Sequence, residues 1–292
     1  MAPQFRFWRL GPRRTWVLDR PRFLGILNLT PDSFSDGGRF DSAEAAVQAG
    51  LDALDAGADG LDLGGESTRP GAQRMPAEIQ IRRVLPVMRR LLKARPQASL
   101  SIDTTLSEVA AAALDAGAVA INDVSAGMED PGMLPLAARA GCGVVLMHRL
   151  RPPDGDSFSH QYAVAPDYLA GGGVVSVVER FLAGRAAAAI AAGVDSRAIL
   201  IDPGLGFGKT VMQNLDLIRA TPRLADLGYP ILSALSRKSF VAKGAGIDPD
   251  LPPVDRDRAT VVLSQLHLRL GASVFRVHDV PGHVRTLRPN GS

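Results

Sequence analysis

The chain has 292 residues, 46% hydrophobic and 22% charged, a globular composition that allows one large domain or two small ones. With 33 Lys+Arg against 30 Asp+Glu the formal net charge is +3, too balanced for the electrostatic footprint of a nucleic-acid binder. The single cysteine, Cys142, excludes an intrachain disulfide and a cysteine zinc cluster and agrees with a reducing cytoplasm; no apolar run approaches the ~18 residues of a membrane-spanning helix.

The first segment, residues 1–22, is basic and contains Arg13-Arg14. An export signal would need an apolar region after that pair, and Asp19, Arg20 and Arg22 interrupt it. The segment reads instead as a short β-hairpin, "FRFWRL" and "RTWVLD" around Gly11-Pro12. As a peripheral arm, it should be removable without loss of activity.

From Phe23 onward, short apolar runs alternate with longer stretches of helical period. The runs are 23–29, 60–65, 99–104, 120–126, 142–148, 198–204, 230–236 and 273–279. Helices are expected at 42–56, 76–94, 107–116, 132–140, 173–192, 211–220 and 256–270, with a shorter one at 281–287. Ser42 and Ser107 are candidate N-caps, and Gly57, Gly117, Gly141 and Gly193 stand where a left-handed residue ends a helix. Eight strand–helix units in series predict an α/β fold, a (β/α)8 TIM barrel over 23–292 with the hairpin as an N-terminal extension. A doubly wound open sheet fits eight consecutive units less well.

A barrel places its chemistry at the C-terminal ends of the strands. The first strand runs into "LNLTPDSFSDGG", with Asn28, Thr30 and Asp32, more polar groups than a turn requires. The second runs into Glu66, Thr68 and Arg69. The third ends at Asp103, the fourth at Asn122-Asp123, the fifth at His148 and the sixth at Asp202. The seventh runs into Lys238, and the eighth carries Arg276 and His278. Any one such Asp or Asn is more often a cap or turn former than a ligand; eight coincident polar ends point to an enzyme. Asp103, Asn122 and Asp202 are acceptor-rich and suit a heterocycle with several N–H groups, while Arg69, Lys238, Arg276 and His278 offer cationic donors for phosphate or carboxylate.

Two motifs are set aside. "GLGFGKT" (204–210) approaches a phosphate-binding loop, but Pro203 occupies the first glycine position; it is expected to be a flexible loop with Phe207 and Lys209 facing the barrel mouth. Cys142 lies at the wrong end of its strand for a nucleophile. His160, His267 and His283 have no metal-ligand spacing and read as surface or structural residues.

"GILNLTPDSFSDGGRF", "GADGLDLGGESTRPGA", "SIDT", "INDVSAG", "ILIDPGLGFGKT", "LSRKSF" and "RVHDV" together resemble dihydropteroate synthase, in the correct order over about residues 23–287. The resemblance implies a cytoplasmic folate-pathway transferase, a sulfonamide target, that joins 6-hydroxymethyl-7,8-dihydropterin diphosphate to 4-aminobenzoate and releases diphosphate. By position, it implies pterin contacts at Asp103, Asn122, Met147, Asp202 and Lys238 and diphosphate contacts at Asn28, Arg276 and His278. It implies Mg²⁺ at Asn28 and an aminobenzoate pocket of Phe34, Thr68, Arg69, Pro70, Phe207 and Ser239. Asp32, Asp103, Lys238 and Arg276 would carry catalysis, with loops 30–40 and 66–74 mobile over the substrates.

The chain departs from the family pattern at Arg149-Leu150-Arg151, in "SALSRKS", and at Asp255 and Ala259 near the helix that often forms the family's homodimer interface. Two other readings remain open at this point: a pterin-dependent methyltransferase domain of the same barrel type, and a paralogue that binds pterin without turnover.

Overall fold

The computed structural model describes residues 7–12, 14–30 and 42–288. Two short strands, β1 (Phe7–Gly11) and β2 (Arg14–Val17), form an antiparallel hairpin. The barrel strands follow: β3 (Arg22–Asn28), β4 (Gly60–Gly64), β5 (Ser99–Asp103), β6 (Ala120–Asp123), β7 (Gly143–Met147), β8 (Ile199–Asp202), β9 (Leu232–Ser233) and β10 (Val274–Val277). They pair in parallel in the order β8-β7-β6-β5-β4-β3-β10-β9, and a parallel bridge from Ile201 to Ile231 joins the two edges. The expected (β/α)8 barrel and hairpin are both present.

The helices are α1 (Ser42–Asp55), α2 (Ala77–Ala94), α3 (Ser107–Asp115), α4 (Met133–Ala140), α5 (Val174–Ala191), α6 (Val211–Arg219), α7 (Thr221–Ala225), α8 (Ser239–Gly244), α9 (Asp257–Leu270) and α10 (Val280–Leu287). Two short ones, α7 and α8, lie outside the sequence reading. The seventh strand is also shorter than expected, because its edge pairs only over Leu232–Ser233 and the Ile231 bridge. Ser107 is the first residue of α3 rather than its cap; Leu106 takes the cap position, and the Asp130 carboxylate accepts the Ser107 N–H at 2.7 Å. Gly57, Gly117, Gly141 and Gly193 all have positive φ, as the helix ends require.

Strand alternation divides the molecule into layers. Residues pointing away from the barrel axis, such as Leu61, Leu63, Leu100, Ile102, Ile121 and Val144, pack with the helices in the main core. Residues pointing inward form an apolar lower layer, including Leu24, Ala120, Val145, Leu200, Leu232 and Val274.

The hairpin belongs to that lower layer and is not peripheral. Trp8, Leu10, Trp16 and Leu18 are buried against it, the two indoles edge to face at 5.5 Å. Trp8 Nε1 donates to Ala198 O at 2.8 Å, beside the start of β8, and Arg14 Nη1 donates to Ala98 O at 2.6 Å, beside the start of β5. A Cβ on Gly143 would lie 3.1 Å from the Trp8 ring, so the first residue of β7 leaves room for it. The hairpin closes the N-terminal end of the barrel, and the polar groups are left to the other end.

Candidate functional site

At the C-terminal mouth lies a cavity of about 660 Å³ lined by Asn28, Thr68, Arg69, Pro70, Phe207, Lys238, Ser239, Arg276 and His278, among others. Residues from β3 and β10 and from the loops after β4, β8 and β9 therefore meet at one place. Asp103, Asn122, Met147 and Asp202 do not line this cavity. They are buried at the ends of β5 to β8, at 5%, 3%, 2% and 2% exposure; Asp103 bonds to the lining Arg276, and Asn122 is joined to it through Asp62. Met147 packs with Val124 and Phe207. Asp32 and Phe34 lie outside the described residues.

Arg276 is the link. Its Nη2 donates to Asp103 Oδ2 at 2.8 Å and its Nε to Asp62 Oδ2 at 2.5 Å. Burial opposes the guanidinium charge, but Asp62 and Asp103 outweigh it and raise its pKa. One cation thus answers two carboxylates. Asp103 is pushed up to about 7, first by burial and then by Asp62, Glu66 and Asp123, with Arg276 pulling the other way. Its Oδ1 is buried with no protein partner among the described residues, an acceptor position left for something else. Burial also raises Asp202, whose Oδ1 accepts the Gly204 N–H at 2.7 Å.

Lys238 ends the "LSRKS" turn. Its Nζ lies 4.3 Å from the Phe207 ring centroid and donates to Leu205 O. Burial lowers its pKa to about 8, with Asp202 opposing, which leaves it mostly charged at neutral pH. The preceding Arg237 has φ +58 and is held there by a two-point pair with Asp257, at 2.6 and 2.7 Å. A non-glycine residue in this region costs about 1–3 kcal/mol, and such strain concentrates at functional turns.

His278 is not a cationic donor in this state. Burial, with Arg237, Arg276 and other cations nearby, lowers its pKa to about 3. The Ser236 hydroxyl accepts the His278 backbone N–H at 3.1 Å and stands 3.0 Å from Nδ1. That hydroxyl can donate to Nδ1, leaving the proton on Nε2 as a neutral donor.

Lys209 contradicts the sequence reading. Instead of facing the mouth it is wholly buried, and its Nζ donates to Gly204 O and Phe207 O at 2.8 Å and to His148 O at 3.3 Å. Burial lowers its pKa to about 7 and that of the adjacent His148 to about 2. The loop is therefore stapled from within. At Gly204, φ +68, an added Cβ would fall 1.7 Å from His148 O, so the tight turn requires glycine.

Several polar strand ends turn out to be braces. Asp123 accepts from Ser125 N, Ser125 Oγ and Gly127 N and shapes the turn after β6. Glu66 accepts from Met75 N and Gln80 Nε2, both at 2.8 Å, and holds the 66–75 loop. In the same loop Arg74 pairs with Glu129, which also pairs with Arg149 of the divergent segment. Asp279 caps α10.

Residues 24–278 match the family described as pterin binding enzyme. Dihydropteroate synthase of Mycobacterium leprae is 45% identical over 272 residues, 92% of each chain. The chain belongs to the dihydropteroate synthase family. The Xanthomonas albilineans dihydropteroate synthase structure with 4-aminobenzoic acid superimposes with a TM-score of 0.85 at 46% identity, covering 94% of both chains. The same organism's enzyme in complex with 7,8-dihydropteroate gives a TM-score of 0.82 at 41% identity over 96% of both chains.

For a member of this family, one buried residue escaped the sequence reading. Asp62 sits mid-strand in "GLDLGG", fully buried, between two outward leucines. In register it lies beside Ser101, two residues before the Gly64–Asp103 pair, on the inward face. Counting strand parity back from Asp103 would have found it.

Proposed function

We infer that this protein is a dihydropteroate synthase that condenses 6-hydroxymethyl-7,8-dihydropterin diphosphate with 4-aminobenzoate to give 7,8-dihydropteroate and diphosphate. One observation carries the reading: buried acceptors on β5, β6 and β8 are tied to the cations that line the cavity, Asp103 directly to Arg276, Asn122 to it through Asp62, and Asp202 by charge to Lys238. A hydrogen-bonding heterocycle and a polyanion need that juxtaposition.

Asp103, Asn122 and Asp202 hold the pterin N–H groups, with Met147 against its face and Lys238 at its edge. Arg276 and the Nε2–H of His278 bind the diphosphate. When the methylene C–O bond breaks, the electron pair leaves with diphosphate and positive charge spreads into the pterin, where the carboxylates favour it. The neutral arylamine nitrogen, held among Thr68, Arg69, Pro70, Phe207 and Ser239, forms the new C–N bond and then loses a proton to solvent. Asp32 and Phe34 complete the diphosphate and aminobenzoate contacts in this reading. Sulfonamides share the arylamine and an acidic para group, so they are expected to compete at the aminobenzoate subsite.

Among the described residues no group of three His, Cys, Asp or Glu could hold a metal. The Asn28 amide lines the cavity and offers one hard oxygen, which fits a Mg²⁺ carried in mainly by substrate phosphates. Bound there, Mg²⁺ would supply neutralisation of leaving-group charge. We also expect a homodimer, because Val262 and Leu266 stand exposed on α9 at 63% and 45%. A cytoplasmic location agrees with the reduced cysteine; no helix of the described residues is long and apolar enough to cross a membrane.

The test is turnover by Asp103→Asn and Arg276→Met, each near-isosteric. Removing one preorganised group of this kind costs about 10²–10³ in kcat. Losses of that size with unchanged circular dichroism are expected; wild-type rates in either variant would remove that residue from the mechanism.

A further inference from the structure

We propose that Asp62, a residue out of reach of substrate, is a positioning residue that fixes which atom of Asn122 and which edge of Arg276 are presented to the pterin diphosphate. The proposal rests on the pterin reading above and deepens it.

Asp62 is fully buried on β4, one layer below the ring of strand-end groups. Its Oδ1 accepts from Ser101 Oγ. Its Oδ2 accepts two donors from opposite sides of the barrel: Asn122 Nδ2 at 2.9 Å and Arg276 Nε at 2.5 Å. Among the described residues no other side chain hydrogen-bonds to both.

Each contact has a directional consequence. A carboxylate can only accept, so the Asn122 amide must turn its NH₂ toward Asp62. Its carbonyl oxygen is then the end left for a ligand, and a heterocycle must offer it a donor. Without Asp62 the amide could rotate by 180° and present NH₂ instead, a mismatch with a pterin N–H. On Arg276, Asp62 takes Nε while Asp103 takes Nη2. The guanidinium is pinned along one edge, and its Nη1 end is left for the cavity that Arg276 lines. A single oxygen therefore coordinates the pterin subsite with the anion subsite. Ser101, its neighbour in register, holds the other oxygen and so keeps the carboxylate from rotating.

The conservative variant separates position from charge. In Asp62→Asn the carbonyl oxygen can keep both Asn122 and Arg276 while the new amide donates to the Ser101 hydroxyl. In Asp62→Ala the shared acceptor is gone.

Three readouts are taken on the full chain: equilibrium binding of 6-hydroxymethylpterin, which lacks the diphosphate; KM for the pterin diphosphate; and KM for 4-aminobenzoate. Asp62→Ala should weaken pterin binding and raise KM for the pterin diphosphate at least ten-fold, leaving KM for 4-aminobenzoate within two-fold. Asp62→Asn should recover both to within about three-fold of wild type. If Asp62→Ala does not fold, Ser101→Ala decides, with at least a three-fold loss of pterin binding expected. The proposal is overturned if Asp62→Ala, or in its place Ser101→Ala, binds pterin as wild type does. It is also overturned if both substrates lose affinity equally, or if Asp62→Asn is as deficient as Asp62→Ala. Wild-type protein that binds no pterin would overturn the functional reading instead, so the two failures are distinguishable.

Discussion

The chemistry turns on a charge imbalance around one side chain. Arg276 faces both Asp62 and Asp103, and the excess negative charge, added to burial, keeps the Asp103 carboxyl near a pKa of about 7. Two consequences follow with opposite character. To accept Arg276 on one oxygen and a pterin N–H on the other Asp103 must be ionised, so kcat/KM for the pterin diphosphate should rise with pH through about 7. For stability the sign is reversed: a carboxyl raised from 3.8 contributes most below that value, and the contribution is lost as pH climbs through about 7. Asp103→Asn mimics the protonated acid, so its melting temperature should gain on wild type between pH 5 and 8. A melting temperature of the variant minus that of wild type that stays constant or falls across that range would contradict the assignment. The site is thus held at the expense of the fold, as functional sites commonly are.

At the scale of elements, the loop after β8 and the hairpin before β3 do the positioning. The loop contains Phe207, which packs on Met147 and beneath Lys238. Its shape depends on Lys209, whose ammonium ties Gly204, Phe207 and His148 together by their carbonyls. Lys209→Met keeps the chain length and strands the His148 and Phe207 carbonyls, each of which costs about 1–3 kcal/mol when buried unpaired, while Gly204 O keeps the Phe207 N–H. A loss of stability on the order of 3 kcal/mol is expected from denaturant midpoints, together with a raised KM for 4-aminobenzoate. A neutral effect would mean the loop is held by other contacts. The hairpin carries four buried side chains, Trp8, Leu10, Trp16 and Leu18, worth about 1.5–3 kcal/mol each. Their sum is comparable with the ~5–15 kcal/mol net stability of a domain. Deleting residues 1–20 should therefore yield insoluble or unfolded protein; a folded, active truncation would return the hairpin to the status of a peripheral arm.

Across the whole molecule, the barrel was legible because its eight runs and their helices have clean periodicities, and because polar groups fall at one end of every strand. What sequence could not display was direction. Lys209 looks like a mouth residue until its ammonium is found among carbonyls, and "FRFWRL" looks dispensable until its indole fills the barrel floor. Asp123 and Asn122 are adjacent and chemically alike, yet one shapes a turn and the other joins the buried polar network. Asp62 is hidden from a reading of strand ends because it lies mid-strand, although inward parity reaches one layer deeper. The layers together give the molecule an apolar floor, a polar network above it and a cavity over that. That assembly should make one bond and break one. The decisive measurement follows diphosphate and dihydropteroate together, from pterin diphosphate with Mg²⁺, in the presence and absence of 4-aminobenzoate. Equal amounts of the two products, appearing only when the amine is present at substrate concentrations, are the predicted result. Tight pterin binding with neither product formed would contradict the account and leave a pterin-binding barrel without turnover.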